Sequence, residues 1–179
     1  MYAETLKLIA TLDQRRPAPN LPEQLNTLFR RLGDAPDTRR DEIEDEIWRL
    51  WMTYPGVPAA FDLERATRAM TAEDWGVADQ ILRGLVSARP DFAEAWNKRA
   101  TLYYIHQKDD ESVRYIHRTL QLEPRHYGAI MGFAEILLTR GDRDNALFVL
   151  DVALRINPHL PGARDSLKKL LGERPDVMH

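Results

Sequence analysis

The sequence predicts an all-α protein whose helices pair and stack into a right-handed superhelix. The first observation is a fixed spacing of prolines, since Pro90, Pro124 and Pro158 stand 34 residues apart. The second is that small and apolar residues share this period: Ala66, Ala100 and Ala134; Ala78, Ser112 and Ala146; Leu82, Ile116 and Leu150. Such a period is typical of stacked helix–turn–helix units, each of which hides its apolar face only against its neighbours.

Composition limits the class of protein. The 179 residues are 44% hydrophobic, which suffices for one sizeable core, and the absence of cysteine excludes disulfides and thiol chemistry. A net charge of −3 without a concentrated basic face argues against nucleic acid as a partner. No apolar run approaches the roughly 18 residues of a membrane helix, so membrane insertion is not expected. The first residues lack the pattern of a signal peptide, which predicts a cytoplasmic protein. An exported or periplasmic protein is the alternative if the start is processed or trimmed.

The N-terminal residues 1–58 are predicted to form a helical extension that packs on the first repeat. Apolar residues at helical spacing predict one amphipathic helix over 4–14 and a second over 21–32. The stretch 15–22 holds three prolines, and proline lacks the backbone N–H that a helix interior needs. The stretch 15–22 is therefore expected to be a linker or an extended turn.

A third helix of the extension carries two tryptophans. It is predicted to begin at a cap formed by Asp37 or Thr38 and to end near Tyr54. Its acidic first half suits the positive end of the helix dipole. Trp48 and Trp51 lie on its apolar face. They either cover the first open face of the helical stack or form an exposed aromatic patch for a partner.

From residue 59 onward, the 34-residue frame divides the chain into three repeats, 59–92, 93–126 and 127–160. Each repeat is expected to contain two antiparallel helices, called A and B here. Helices A and B are predicted over 59–71 and 74–89 in the first repeat, 91–107 and 109–122 in the second, and 125–140 and 142–156 in the third.

Residue patterns also predict the turns between helices A and B and the end of the stack. Gly141 with Asp142 marks the turn between A and B in the third repeat. The same slot holds Glu73 in the first repeat and Gln107 in the second. An amphipathic helix over about 160–171 is predicted to cap the stack, which would otherwise expose an apolar face. The repeats and the cap together cover 59–172, and 173–179 is predicted to be a flexible tail.

The repeat pattern resembles the tetratricopeptide repeat, in which W-x2-L-G-x2-Y is followed by A-x3-F and P. The second repeat carries Trp96, Arg99, Ala100, Tyr103, Ser112, Ile116 and Pro124. The third carries Ile130, Phe133, Ala134, Leu137, Ala146, Leu150 and Pro158, and the first is degenerate. The whole layout is similar to that of small bacterial tetratricopeptide repeat proteins, in which an acidic helix like Ile43 to Trp48 precedes the repeats. Arg99 departs from the apolar pattern, so we expect its stem to be buried and its guanidinium to meet a carboxylate.

The chain shows no residue pattern of a catalytic or metal site. The five histidines include no pair at the i, i+4 spacing of a metal face, and there is no cysteine to help. No serine lies in a nucleophile motif, and no glycine-rich phosphate loop is present. Gly128 and Gly132 lie inside a predicted helix, where we expect a neighbour or a ligand to come close. The sequence therefore predicts no enzyme, no metal and no cofactor.

The resemblance implies a function in recognition. In the tetratricopeptide repeat fold, helices A line a concave groove with the second, fifth, ninth and twelfth residues of each repeat. The resulting candidate peptide-binding residues are Leu63, Thr67, Met70, Asn97, Thr101, Tyr104, Met131, Glu135 and Leu138. We therefore predict a non-enzymatic interaction scaffold that binds a peptide or helix of a partner protein. The first alternative is a structural or self-associating module, in which the groove or the Trp48/Trp51 helix makes a homodimer. A further possibility is that the N-terminal helices themselves fill the groove.

One activity of the family can be tested on single residues. Chaperone-binding members clamp a terminal carboxylate with lysine, asparagine and arginine side chains on three successive helices A. The matching positions here hold Leu63, Thr67, Lys98, Gly128 and Gly132. Because only one of these residues is basic, the resemblance does not extend to a clamp for chaperone tails.

Overall fold

The computed structural model describes residues 1–12, 15–34, 36 and 39–172, and the elements in these ranges are α-helices. They are α1 (Tyr2–Ile9), α2 (Gln24–Asp34), α3 (Arg40–Thr53), α4 (Val57–Thr71), α5 (Trp75–Ala88), α6 (Ala93–Ile105), α7 (Asp109–Leu122), α8 (Tyr127–Thr139), α9 (Arg143–Ile156) and α10 (Pro161–Gly172). The predicted all-α class is confirmed. The predicted tail at 173–179 lies outside the described residues.

Three helix pairs follow the predicted frame: α4 with α5, α6 with α7, and α8 with α9. The turn inside each pair contains one residue with a left-handed backbone, since φ is 57° at Glu73 and Gln107 and 76° at Gly141. Only glycine adopts this conformation without steric cost, so Gly141 is the most favourable of the three. Asp74 and Asp142 follow two of the turns, and their carboxylates cap α5 and α9 by accepting backbone N–H groups of the first turn.

The stack curves towards its A helices. Helix α6 contacts both α4 and α8, so the three A helices form one layer. Within the described residues, the B helices α5, α7 and α9 make no comparable contacts with one another. Because the A helices are closer together than the B helices, the A layer lines the concave side of the superhelix and the B helices splay on the convex side.

Helix α1 fills the gap between two splayed B helices. It contacts α7 and α9, and its apolar side chains join their core; these are Leu8, Ile9 and the following Leu12. The buried Thr5 hydroxyl lies 3.2 Å from Nδ1 of His117 on α7. The helix ends at Ile9, and the last two residues of the predicted 4–14 helix lie outside the described residues.

The linker then carries the chain from the convex to the concave side. It passes the end of α7, where the Ala18 N–H donates to the Leu122 carbonyl over 2.9 Å. Beyond it, α2 and α3 pair, and their apolar residues form a core cluster with the start of α8: Leu25, Leu28, Leu32, Ile43, Ile47, Leu50, Trp51 and Tyr127. We predicted that residues 1–58 pack on the first repeat. Their contacts reach all three repeats, because the gap between α7 and α9 and the edge of the A layer offer apolar surface well beyond α4.

Helix α10 covers the end of the stack on α9. Its buried residues are Ala163 and Leu170, and Leu167 is partly buried. Leu171, in the last turn of α10, is 52% exposed and is not part of their core cluster. The cap therefore uses the 163, 167 and 170 positions to cover the repeats.

Arg99 behaves as expected from its misfit to the repeat pattern. Its side chain is 10% exposed, and one guanidinium nitrogen lies 3.6 Å from the Asp79 carboxylate on α5. The guanidinium carbon also stands 4.5 Å from the centre of the Tyr115 ring on α7. The ion pair thus joins the first and second repeats, and the cation–π contact joins the two helices of the second repeat.

Candidate functional site

Helix α3 crosses the three chain segments that lead into α6, α8 and α10. At the first of these, the Tyr54 hydroxyl donates to the Asp91 carbonyl and accepts the Ala93 N–H over 3.2 Å. The Tyr54 ring also meets the Phe92 ring edge to face, with centroids 5.6 Å apart. Burial raises the pKa of Tyr54 to about 12, which keeps its hydroxyl protonated as the donor of this hydrogen bond.

At the second segment, Trp51 makes both a polar and a stacking contact. Its indole N–H donates to Glu123 Oε2 over 3.3 Å. Its ring stacks on the His126 ring with a centroid distance of 4.2 Å and an interplanar angle of 10°. The side chains in this contact are fully buried, namely those of Trp51, Glu123 and His126. This part of α3 is therefore packed firmly against the segment that leads into α8.

At the third segment, Glu44 accepts a hydrogen bond from the Asn157 amide over 2.8 Å. One turn further along α3, Trp48 lies against the start of α8. A Cβ atom at Gly128 would stand only 2.8 Å from Cη2 of the Trp48 ring. The expectation of a close neighbour at Gly128 is thus met by Trp48, whereas Gly132 has only an ordinary contact of 3.8 Å with Ile116.

Beneath α3 lies a buried polar network. The Ala129 N–H donates to Nδ1 of His126 over 3.2 Å, so Nε2 carries the proton that reaches Glu94 over 2.8 Å. Asn97 donates to the same carboxylate over 3.1 Å, and the Lys98 ammonium lies 3.5 Å from it. Burial alone would raise the pKa of Glu94, but the hydrogen bonds from His126 and Asn97 and the nearby Lys98 ammonium hold it below its ordinary value. The network keeps an ionised carboxylate inside the groove.

The predicted groove residues divide into a covered and an open set. Leu63 is fully buried in the core of the first repeat, and Asn97 is 9% exposed because it bonds Glu94 under α3. These two predicted peptide-binding residues are not accessible to a partner. Met131 is partly buried, with its methyl group facing Gly162 of α10. The ninth and twelfth residues of each repeat keep access to solvent: Thr101, Tyr104 and Glu135 are exposed, and Thr67, Met70 and Leu138 are half-buried.

We call these six residues the open half of the groove. Its apolar row consists of Met70, Tyr104 and Leu138, which stand 34 residues apart on successive A helices. Tyr104 is 37% exposed and belongs to none of the three core clusters of the described residues. Met70 and Leu138 pack partly against the core and partly face solvent. The groove is therefore filled by α3 at the start of the A helices and open at their ends.

The residues that hold α3 in place were not predicted from the sequence. His126 stands at the repeat position that Phe92 and Leu160 occupy in the other two repeats. The polar character of His126 at a repeat position that is otherwise apolar was the sequence signal that this residue makes a contact outside the repeat pattern. Trp51 is fully buried by that contact, so it cannot form an exposed aromatic patch.

Two further properties of the structure concern membranes and metals. In the described part of the chain, no helix has the length and apolar character needed to cross a membrane. Over the same residues, no group of three or more His, Cys, Asp or Glu side chains comes together in a way that could hold a metal ion.

Comparison with solved structures defines the class of protein. The first TPR domain of Spaghetti (RPAP3), bound to an HSP90 peptide, superimposes with a TM-score of 0.59 at 15% identity, covering 64% of this chain and 90% of that one. The Yersinia enterocolitica type III secretion chaperone SycD, in complex with a peptide of the translocator YopD, gives 0.58 at 12% identity, covering 64% and 92%. The fold is that of a tetratricopeptide repeat solenoid, and the predicted superhelix is confirmed.

Sequence comparison agrees with this class. A TPR repeat-containing protein of Rhizobium etli is 29% identical over 168 residues, covering 91% of this chain and 82% of that protein. No protein-family model matches the chain. The chain thus has the tetratricopeptide repeat fold and is similar in sequence to a bacterial TPR repeat-containing protein, in agreement with the resemblance in its motifs.

Proposed function

We propose that the chain is a non-enzymatic scaffold for protein–protein interaction, which binds a peptide or helix of a partner in the open half of the groove. The observation that carries this proposal is the row of Met70, Tyr104 and Leu138, one partly open apolar side chain on each helix A. A partner segment lying across the three helices would bury all three side chains at once. Partly exposed aromatic and apolar side chains of this kind are where binding energy concentrates.

The neighbouring row of the open half adds hydrogen-bond acceptors. The hydroxyls of Thr67 and Thr101 donate to carbonyls of their own helices over 2.9 and 3.2 Å, so towards a partner they can only accept. The carboxylate of Glu135 is exposed and accepts as well. This pattern favours a partner that places apolar side chains on one row and N–H groups on the other.

The structural neighbours support binding of a peptide rather than of a small substrate. Both neighbours described above hold a peptide of another protein, on folds that match this chain over about two-thirds of its length. The chaperone-tail clamp is not proposed, because α3 covers Gly128 and a buried contact with Glu94 engages Lys98. The proposed site is instead the part of the groove that α3 leaves free.

A photo-crosslinking experiment tests the proposal. A benzoylphenylalanine at position 104 of the intact chain should trap the partner, whereas the same group at Phe61 should not. Phe61 is a matched control, since it is 56% exposed but lies on α4 outside the inferred groove positions. With the trapped partner purified, the double variant Tyr104→Ala/Leu138→Ala should bind it roughly thirtyfold more weakly than wild type, and Phe61→Ala should bind like wild type.

The proposal fails if both crosslinkers trap the same proteins, or if the double variant binds as tightly as wild type. Thermal melts of each variant distinguish a binding effect from unfolding. Only a folded double variant with weakened binding supports the open half as the site.

A further inference from the structure

A second surface lies on the edge of the superhelix, outside the groove. A cavity of about 420 Å³ opens between α2, the segment before α8, and the last turn of α9. It is lined by Asn26, Phe29, Arg30, Arg125, Arg155 and Ile156. A cavity of about 220 Å³ adjoins it and shares Arg125, Arg155 and Ile156. We call the two together the arginine cleft. Because α1 and α2 form one wall and the repeats the other, the cleft exists only when the extension is docked.

The cleft is basic. Three arginines line it, and no acidic side chain does so in the part of the chain that the structure describes. Arg30 lies on the exposed face of α2, and among the described residues it donates only to the Thr27 hydroxyl, over 3.4 Å. Arg155 pairs with Asp151 over 3.3 Å, but both side chains are about two-thirds exposed, so this pair is weak and can be exchanged for another carboxylate.

Arg125 is held in place by hydrogen bonds that do not use all of its N–H donors. Its guanidinium donates two hydrogen bonds to the buried Glu123 carboxylate, one from Nε over 3.0 Å and one from a terminal nitrogen over 3.1 Å. The other terminal nitrogen donates to the Asn26 amide oxygen over 2.6 Å. A guanidinium has five N–H donors in a fixed plane, so two are left for an incoming acceptor. The side chain is thus a preorganised donor that pays little entropy on binding.

The floor of the cleft is apolar. Phe29 lies beneath the Arg125 guanidinium, whose carbon stands 4.5 Å from the ring centre. Ile156 continues this floor, and Leu12 and Val152 extend it into the adjoining cavity. A ligand that fits both parts combines carboxylates with an apolar side chain. The chain's net charge of −3 makes a polyanion such as nucleic acid a poor match.

We propose that the arginine cleft binds an acidic segment of a partner protein, with carboxylates on Arg30, Arg125 and Arg155 and an apolar side chain on Phe29 and Ile156. This surface is separate from the open half of the groove, so it stands or falls independently of the function proposed above. The tetratricopeptide repeat scaffold would then present two recognition surfaces, one on its concave side and one on its edge.

Fluorescence anisotropy with the intact chain tests the proposal. The probe is a fluorescein-labelled peptide Glu-Glu-Leu-Leu-Glu-Glu, compared with the same peptide carrying glutamine or lysine in place of glutamate. The acidic probe should bind about tenfold more tightly than the glutamine form, and the lysine form should not bind. Because the contacts are partly exposed, binding should weaken when salt is raised from about 20 mM to about 200 mM.

The variant Arg30→Glu/Arg155→Glu should lose at least about tenfold in affinity for the acidic probe. Arg125 is left intact, because its removal would strand the buried Glu123. The matched control is Arg68→Glu/Arg83→Glu, which changes the net charge equally. Both control arginines are more than two-thirds exposed and form i, i+4 pairs on α4 and α5, as Arg155 does on α9. Circular dichroism melts verify that each variant is folded.

Four outcomes would overturn the proposal. The acidic probe could fail to bind at millimolar concentration, or the glutamine form could bind equally well. The control variant could lose as much affinity as the cleft variant, which would show a general charge effect. Finally, a deoxythymidine hexamer could bind through the same arginines in preference to the acidic probe, which would make the cleft a phosphate site.

Discussion

The position of α3 over the groove can be tested with two glycines of one helix. Gly128 and Gly132 both lie in α8, four residues apart. Replacing either with alanine favours the helix by up to about 1 kcal/mol, since alanine has the higher helix propensity. Gly128 lies in the first turn of α8 and Gly132 in its interior, where the propensity gain is larger. They also differ in what the new methyl group meets. At Gly132 it meets Ile116 at an ordinary 3.8 Å, whereas at Gly128 it meets Trp48 at 2.8 and 3.2 Å.

The Trp48 ring cannot easily move aside. It is held edge to face by Trp51, His126 and Tyr127, with centroid distances of 5.1, 5.6 and 5.7 Å. Overpacking of this kind costs about 1–3 kcal/mol. Gly132→Ala should therefore stabilise the protein by up to about 1 kcal/mol. Gly128→Ala should be less stable than Gly132→Ala by about 1–3 kcal/mol.

Urea denaturation followed by far-UV circular dichroism measures both variants. Repeating the pair in a Trp48→Ala background completes a double-mutant cycle. Removing the ring should relieve the clash, so the penalty of Gly128→Ala should fall to near zero and give a coupling energy of about 1–3 kcal/mol. If the two glycine variants are equally stable in both backgrounds, Trp48 does not lie on α8, and the division of the groove into covered and open halves is incorrect.

Two further predictions concern the repeats and α1. Ala134 is fully buried where α8 meets its neighbours, so Ala134→Leu should cost about 1–3 kcal/mol, and an unchanged thermal melt would contradict the close packing of A and B. Burial lowers the pKa of His117, and Arg15 and the terminal amine lower it further although Glu4 opposes them. A lowered pKa means that the unfolded chain binds the proton more readily than the folded chain does. The folded state therefore has its full stability above about pH 6.5 and loses stability as the pH falls below this value. The melting temperature should therefore fall less between about pH 7 and about pH 5 in His117→Asn than in wild type. Parallel curves of melting temperature against pH would show that His117 does not titrate in this range.

The repeats could be predicted because their information is local and recurs. Each A–B unit repeats the same small and large apolar positions at a fixed spacing, so three weak matches in phase reinforce one another. The left-handed turn residues illustrate this. Glu73 and Gln107 are ordinary helix formers and give no signal alone, but the period from Gly141 places them at equivalent turns, as the structure shows.

The groove residues could be only partly predicted from the same pattern. The period places Tyr104 and Leu138 on one face of successive A helices, and the structure leaves both partly exposed. The period also places Leu63 and Asn97 there, but both are buried. A repeat pattern predicts which side chains each unit contributes to the groove. It holds no information about a segment outside the repeats that packs over those side chains.

The sequence by itself determined the all-α class, the A–B frame, the turns and the capping helix, because these depend on helical periodicity and on contacts between neighbouring units. The tertiary structure decided where the extension goes. The hydrogen bond from Trp51 to Glu123 joins residues 72 positions apart, and that from Asn157 to Glu44 joins residues 113 positions apart. Each of these contacts occurs once and follows no period. Only the folded chain shows that α3 closes one half of the groove and leaves the other open, and that α1 and α2 form one wall of the arginine cleft. These surfaces form where non-repeating residues meet repeating ones.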